Sequence, residues 1–396
     1  MTPRARVLIA GVSVRALARS ALAAGYDVLT IDAFADRDLV EPVPQPVAHH
    51  ALAPFTARAA ARLGATLDAD AVAYASGFEN DPRAIEMLAM GRPIWGCSPH
   101  TVAEVRDPRE VQEALSAQPG CLVPPVFVGE TPPATRAGRF LNKPIQSGGG
   151  HGISLWQGEP LEPEYYLQEF VAGIPGSAIC LADGRGHCAV LGLSRQLVGE
   201  AAFGAHGFQY CGSLIGVGVE ARVLPDADVA YEHALRAAAH LSRRFGLRGL
   251  FCLDFVATDE FAAPIEVNPR VSASMELIER HSGTSLFALH VSACQGDLKP
   301  ALDLTPSSSG VVLGKAIVYA PHDVRIPDTD AWLDDPSLAD IPLSGAVIRG
   351  GTPICTVFAS APTSETCRLA LAVRAAELLS ACSQPVGVSG WVRREL

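Results

Sequence analysis

"GLFCLDFVATDEFAAPIEVNPR", residues 249–270, decides how the rest of the chain is read. Two apolar runs flank a turn, the pattern of two short antiparallel strands. In "PIEVNP", Glu266 and Asn268 are two residues apart, so a strand points both to one face. Ile265 and Val267 then point to the other face, toward a core. Asp254 is set among Phe251, Leu253 and Phe255, where a carboxylate is costly to bury unless paired or metal-bound. Two carboxylates and an amide oxygen on one face are hard ligands suited to magnesium. That ion takes a few protein oxygens and completes its shell with water and substrate phosphates. Arg270, just beyond, is placed to clamp a phosphate or carboxylate. The plainer alternative is a surface hairpin with an Arg270 salt bridge, and the apolar flanks argue against it.

This pair of strands resembles the one that carries the magnesium ligands in the ATP-grasp superfamily, whose pattern is an Asp followed by E-x-N-P-R. The resemblance makes Asp254, Glu266 and Asn268 the metal ligands and Arg270 the phosphate-contacting arginine. It covers the whole chain. It implies a mixed α/β and α+β fold. A Rossmann-like pre-domain occupies residues 1–100 and a two-lobed nucleotide-binding domain residues 101–300. A β-rich C-terminal extension with a final helix from Thr363 to Cys382 occupies residues 301–396.

"NKPIQSGGGHGI", residues 142–153, acquires meaning from that cluster. Alone, three glycines make a flexible loop as readily as an anion site. Glycine lets backbone N–H groups turn toward a phosphate at close range. No G-K-[ST] follows, so this is not a P-loop. The resemblance implies that Lys143 contacts ATP phosphates and that Gly148, Gly149 and Gly150 close over them. His151 is either a phosphate contact or a solvated loop residue. In "YYLQEFVAGIPGSA", residues 165–178, Glu169, Phe170 and Val171 are the expected adenine hinge. Pro175, Gly176 and Ser177 stand where many relatives carry an acid for the ribose. The lysine that relatives carry early in this domain is missing, and Arg106 or Arg109 of "RDPREV" is its stand-in or faces solvent. Arg195 of "LSRQLVG" is expected to hold an acyl phosphate or a substrate carboxylate, against the alternative of a surface salt bridge. The Gly- and aromatic-rich residues 200–213 suggest a loop near the acceptor.

The N-terminal "RVLIAG", a helix to Gly25 and "YDVLTID" read as strand–helix–strand, the opening of a doubly wound unit. Ser13 stands where a dinucleotide fingerprint has its second glycine, so an NAD(P)-dependent oxidoreductase is the lesser alternative. Gly11, Ser13 and Arg15 are either an anion-holding turn or ordinary strand–helix packing. "AVAYASGFEN" and "RPIWGCSP" read as further strands. "DPREVQEALSAQPG", "DADVAYEHALRAAAHLSRRFG" and "SASMELIERHSG" read as helices, "GAVIRGGTPICTVFA" as one strand and "TPSSSG" as a boundary.

Composition sets the outer limits. The 396 residues are 48% apolar with a net charge of −11 and no long basic run, as in a folded protein without a general nucleic-acid or anionic-membrane surface. No apolar run reaches the roughly 18–20 residues that span a bilayer. Arg15 and Arg19 interrupt the N-terminal apolar burst, unlike a secretory signal. Ten scattered cysteines without a CxxC pair fit a reducing cytoplasm. The function expected from the resemblance is an ATP- and Mg2+- (or Mn2+-) dependent carboxylate–amine ligase. It activates a small-molecule acid as an acyl phosphate for attack by an amine. A homodimer is the expected assembly. The local pattern is similar to ATP-grasp proteins of methylotrophs and methanogens, some associated with C1-carrier (methanopterin- or methanofuran-type) cofactor biosynthesis. An ATP-binding protein without turnover is the other alternative.

Overall fold

Arg6–Ala10 and Asp27–Asp32 alternate with the helix Arg15–Ala23, and the two strands pair in parallel, as the apolar runs predict. The computed structural model describes residues 5–41, 48–133, 138–217, 221–302 and 310–382. Within them the first sheet is parallel, in the order Ala48–Ala51, Asp27–Asp32, Arg6–Ala10, Ala71–Tyr74, Ile94–Trp95. Gly11 ends the first strand for a packing reason: a Cβ there would lie 2.7 Å from the Ala75 Cβ.

A small antiparallel sheet follows, in the order Val126–Val128, Tyr165–Glu169, Phe140–Pro144, Ser154–Leu155. It forms one lobe over the site. The other lobe is an antiparallel sheet, eight-stranded among the described residues. Its order is Ala262–Asn268, Arg248–Ala257, Ile174–Asp183, Cys188–Val198, Tyr210–Val217, Val311–Tyr319, Pro353–Ala361, Leu338–Ala339. The last three strands come from beyond residue 300, so the C-terminal segment continues the central sheet. In "TPSSSG", residues 305–309 lie outside the described residues. The expected strand in "GAVIRGGTPICTVFA" is two, Val347–Ile348 and Pro353–Ala361, because Gly351 turns the chain at φ +80°.

The helix Ala227–Phe245 starts where Asp226 accepts from the N–H groups of Asp228 and Val229, and stops at Gly246 in the left-handed conformation. The last helix, Ser364–Cys382, buries Cys367, Leu371, Ala375, Leu378 and Cys382, a stripe at helical spacing. One unexpected helix, Leu286–Cys294, is capped by Ser285 and too apolar to read as amphipathic. Its Phe287 stacks edge-on against Tyr26 and Trp95 of the first domain, and its His290 bonds the Trp95 carbonyl, tying that domain to the large sheet. Among the described residues no helix is long and apolar enough to cross a membrane.

Candidate functional site

Between the two lobes lies a cleft of about 650 Å³, within the size range of small-ligand sites. Its floor is the hairpin of residues 249–270. Arg248–Ala257 pairs antiparallel with Ala262–Asn268, with Asp254 opposite Glu266 and Cys252 opposite Asn268. Phe251, Leu253, Phe255 and Val267 are buried beneath. Pro264, which has no N–H, is tolerated because its strand is the sheet edge. A register shift after Asp254 leaves Ile265 as the extra residue of a bulge. Ile265 is therefore half-buried on the cleft wall, a correction to its expected place in the core.

Asp254, Glu266 and Asn268 all line the cleft. Asn268 Nδ2 donates to Asp254 Oδ2 at 2.9 Å, which leaves Oδ1 facing away from that carboxylate. Burial and the neighbouring Glu266 charge push the Asp254 carboxyl up to about 6. Burial would raise Glu266 as well, but the charges of Arg106 and Lys143 hold it below the ordinary carboxylate range. Among the described residues no group of three His, Cys, Asp or Glu side chains is placed to hold a metal ion. A cation here would take the two carboxylates, and the Asn268 amide oxygen once that side chain turns it toward Asp254, with a ligand's oxygens completing its shell. That donor set fits magnesium or manganese.

Lys143 is 5% exposed and lines the same cleft. Its Nζ donates to Gln168 Oε1 at 2.9 Å and sits 5.5 Å above the Tyr166 ring. Burial alone would lower its pKa, yet Tyr166 and Glu266 hold it above the ordinary lysine value, so it is a charged group. The glycine loop lies beside it. Gly149 and Gly150 have φ of +63° and +76° and line the cleft. The Tyr210 N–H donates to the Gly149 carbonyl at 2.9 Å, and a Cβ on Gly150 would fall 1.9 Å from the Phe208 carbonyl oxygen. The loop is thus docked on residues 207–210, within the Gly- and aromatic-rich stretch. Gly148 stands outside the main cleft, in an adjoining pocket with Ser147, Arg106 and Glu266. His151 is exposed and folds back, with Nδ1 2.9 Å from the Gly148 carbonyl, and is not among the cleft residues.

Glu169, Phe170 and Val171 also line the cleft, near Leu141, Ile153 and Val256. The Glu169 N–H donates to the Pro125 carbonyl and the Phe170 N–H to the Arg139 carbonyl. Of the three amides, only that of Val171 has no partner among the described residues.

Three placements change the expectations. Arg195 is not a cleft residue: strand alternation gives that face to Gln196. Arg15 lines the cleft but is no free anion holder. Its guanidinium forks onto Glu276 at 2.6 and 3.1 Å and reaches Asp340 Oδ1 at 2.9 Å. Arg109 faces solvent, bonded to the Val128 carbonyl. Arg106, by contrast, is inside the site. Its Nη1 meets Glu266 Oε1 at 2.5 Å and its Nη2 donates to the Ser147 carbonyl at 3.0 Å.

Arg270 lines the cleft with its Nε on Glu79 Oε1 at 2.6 Å and its Nη2 3.4 Å from Asn268 Oδ1. Glu79, 2% exposed, arrives from the first domain on the turn Phe78–Asn80. Sequence reading passes over Glu79, Lys315 and Asp340. A single signal exists for Glu79: an acid after "YASG" at the end of a parallel strand, where such sheets place functional loops.

Comparison with known proteins bears on the fold and on one stretch of the chain. Residues 105–274 match the family model described as the ATP-grasp domain. The carbamoyl phosphate synthase large chain of Deinococcus deserti is 26% identical over 255 residues, 62% of this chain and 24% of that protein, so the chain spans about a quarter of that relative. Among solved structures, the biotin carboxylase of Campylobacter jejuni superposes with a TM-score of 0.69 at 14% identity, covering 96% of each chain. The L-amino acid ligase of Bacillus licheniformis gives 0.66 at 13% identity, covering 96% of this chain and 98% of that one. At such identities the structures show a shared fold. The protein therefore has the ATP-grasp fold and carries an ATP-grasp domain at residues 105–274.

Proposed function

We propose that this protein is an ATP- and magnesium-dependent ligase that activates a small carboxylic acid as an acyl phosphate for attack by an amine. The observation that carries the reading is the convergence of Lys143, Gly149 and Gly150 with Asp254, Glu266 and Asn268 on one cleft between two lobes. Lys143 and the loop amides offer positive charge to a triphosphate, and Val171 offers a free hinge amide to a base among apolar walls. Asp254, Glu266 and Asn268 would hold the metal, which when bound neutralises phosphate charge. Arg270, fixed by Glu79, steadies the transferring phosphoryl group. The acid's carboxylate oxygen forms a bond to the γ-phosphorus as the bond to ADP breaks. The amine then bonds the acyl carbon and phosphate leaves, its proton passing to solvent. Water exclusion by the docked glycine loop protects the acyl phosphate.

The same reading places the enzyme in the cytoplasm as a homodimer acting on small molecules, and extends by resemblance to C1-carrier cofactor biosynthesis. The test is Mg-ATP-dependent ADP release across a metabolite set, with mass spectrometry of the product. Mg-ATP should raise the melting temperature in a concentration-dependent way and NADH should not. Stabilisation by NADH alone would favour an oxidoreductase, and stabilisation by Mg-ATP without ADP release for any substrate an ATP-binding protein without turnover.

A further inference from the structure

The cleft wall includes charged residues that the nucleotide reading leaves unused. Lys315 and Asp340 both line it. They come from beyond residue 300, Lys315 on the strand Val311–Tyr319 and Asp340 just after Leu338–Ala339. Each is built into a fixed position. Lys315, its side chain 4% exposed, donates to Glu276 Oε2 at 2.7 Å, and its Nζ stands 5.5 Å above the Phe358 ring. Asp340 holds a left-handed backbone at φ +58°, which Asp tolerates better than most residues. Its Oδ1 accepts from Arg15 Nε at 2.9 Å and its Oδ2 from Thr356 Oγ1 at 2.5 Å.

Both groups have capacity left. An ammonium has three N–H bonds, and among the described residues Lys315 gives one, to Glu276. A carboxylate has about four acceptor positions, and Asp340 uses two. The other acids of the cluster are committed. Glu276 is held by Arg15 and Lys315, and Asp38 accepts the N–H groups of Asp340 and Ile341. Arg280, 3.7 Å from Glu276 and stacked over the Phe358 ring, is not among the cleft residues. Asp340, with a side chain 24% exposed against 9% for Glu276 and 17% for Asp38, is the acid turned toward the cleft. A carboxylate turned into the cleft beside an ammonium with spare donors matches a ligand carrying both charges.

We propose that the acid activated here is a zwitterion of the α-amino-acid type, its carboxylate held by Lys315 and its ammonium by Asp340. This rests on the ligase reading and names its substrate class. The ammonium stays protonated as a handle, and the carboxylate oxygen attacks the γ-phosphate of ATP. Hydroxylamine then traps the acyl phosphate as a hydroxamate, releasing phosphate.

The experiment runs the twenty standard L-amino acids singly with Mg-ATP and hydroxylamine, each beside its N-acetyl derivative, measuring ADP and hydroxamate. Turnover is expected with one or a few free amino acids and not with their N-acetyl forms. Asp340→Asn, which suits the left-handed backbone, should raise the amino-acid KM about tenfold or more with melting stabilisation by Mg-ATP retained. Thr356→Val, which frees one Asp340 oxygen without removing its charge, should raise it less. N-acetyl forms used as well as free ones, turnover confined to acids lacking an amine, or an unchanged KM in Asp340→Asn would each overturn the proposal. Loss of melting stabilisation by Mg-ATP in the parent protein would instead remove the ligase reading beneath it.

Discussion

Arg106 and Glu266 stand 160 residues apart in sequence and meet at 2.5 Å on the wall of the cleft. The same guanidinium holds the carbonyl of Ser147, the residue before the glycine triplet. One side chain thus ties the carboxylate read as a metal ligand to the root of the loop read as a phosphate cover. In the protein alone, Arg106 supplies the positive charge that keeps Glu266 ionised while buried.

Glu266→Gln removes the carboxylate's negative charge and an oxygen that a cation would need. Mg-ATP-dependent ADP release should fall by about 100-fold or more, the scale seen when one charge-stabilising group is lost. ATP with magnesium should then stabilise the variant against heat no better than ATP with EDTA. Undiminished turnover at saturating Mg-ATP would remove Glu266 from the metal site.

Lys143→Met keeps most of the buried stem and deletes the ammonium. A charge-assisted bond contributes about 1.5–3 kcal/mol, so the Kd for Mg-ATP should rise by about 10- to 100-fold by calorimetry. Equal affinity in parent and variant would show that Lys143 is structural, held by Gln168 and Tyr166 for packing alone.

These residues were legible because strand spacing is local. Asp254, Glu266 and Asn268 share a face for the same reason that Val267 does not. Ile265 was misread because the bulge that re-aims it has no mark in the sequence. Arg195, expected in the site, lies outside the cleft that its neighbour Gln196 lines, the one-residue error to which period-two reasoning is most exposed. Glu79, Arg106, Lys315 and Asp340 acquire their roles from partners 39 to 325 residues away, through contacts no local pattern encodes. The continuous central sheet was hidden likewise, since Tyr210–Val217 pairs with Val311–Tyr319 across the boundary expected at "TPSSSG".

Glu79→Gln tests how the first domain serves the second. The Arg270–Glu79 pair is mostly buried, and breaking such a pair by neutralising one partner costs about 3–5 kcal/mol. Denaturant unfolding should register that loss. In the folded fraction kcat should fall with little change in the KM for ATP, because Arg270 would be present but no longer oriented. An unchanged kcat in soluble, folded Glu79→Gln would mean that Arg270 needs no such support.

Gly150→Ala places a side chain where φ is +76° and a Cβ would lie 1.9 Å from the Phe208 oxygen. The loop should undock from residues 207–210, so that hydrogen exchange at the Tyr210 amide accelerates and the KM for ATP rises. Protection at Tyr210 equal to the parent's would show that the loop tolerates the methyl group.

Asp254 gives the site a pH signature. Its carboxyl, near 3.8 in the unfolded chain, is raised to about 6 by burial and by Glu266. Between those values the folded protein binds the extra proton, so Asp254 contributes stability at low pH that is lost as pH rises through about 6. A cation needs the ionised form. The extra melting stabilisation that magnesium adds to ATP should therefore grow from pH 5 to pH 7, as deprotonation frees the ligand. Asp254→Asn should flatten both trends: its unliganded melting temperature should fall less than the parent's over that range, and its magnesium increment should be small at every pH. Two parallel pH profiles, parent and variant, would place the titration elsewhere in the molecule.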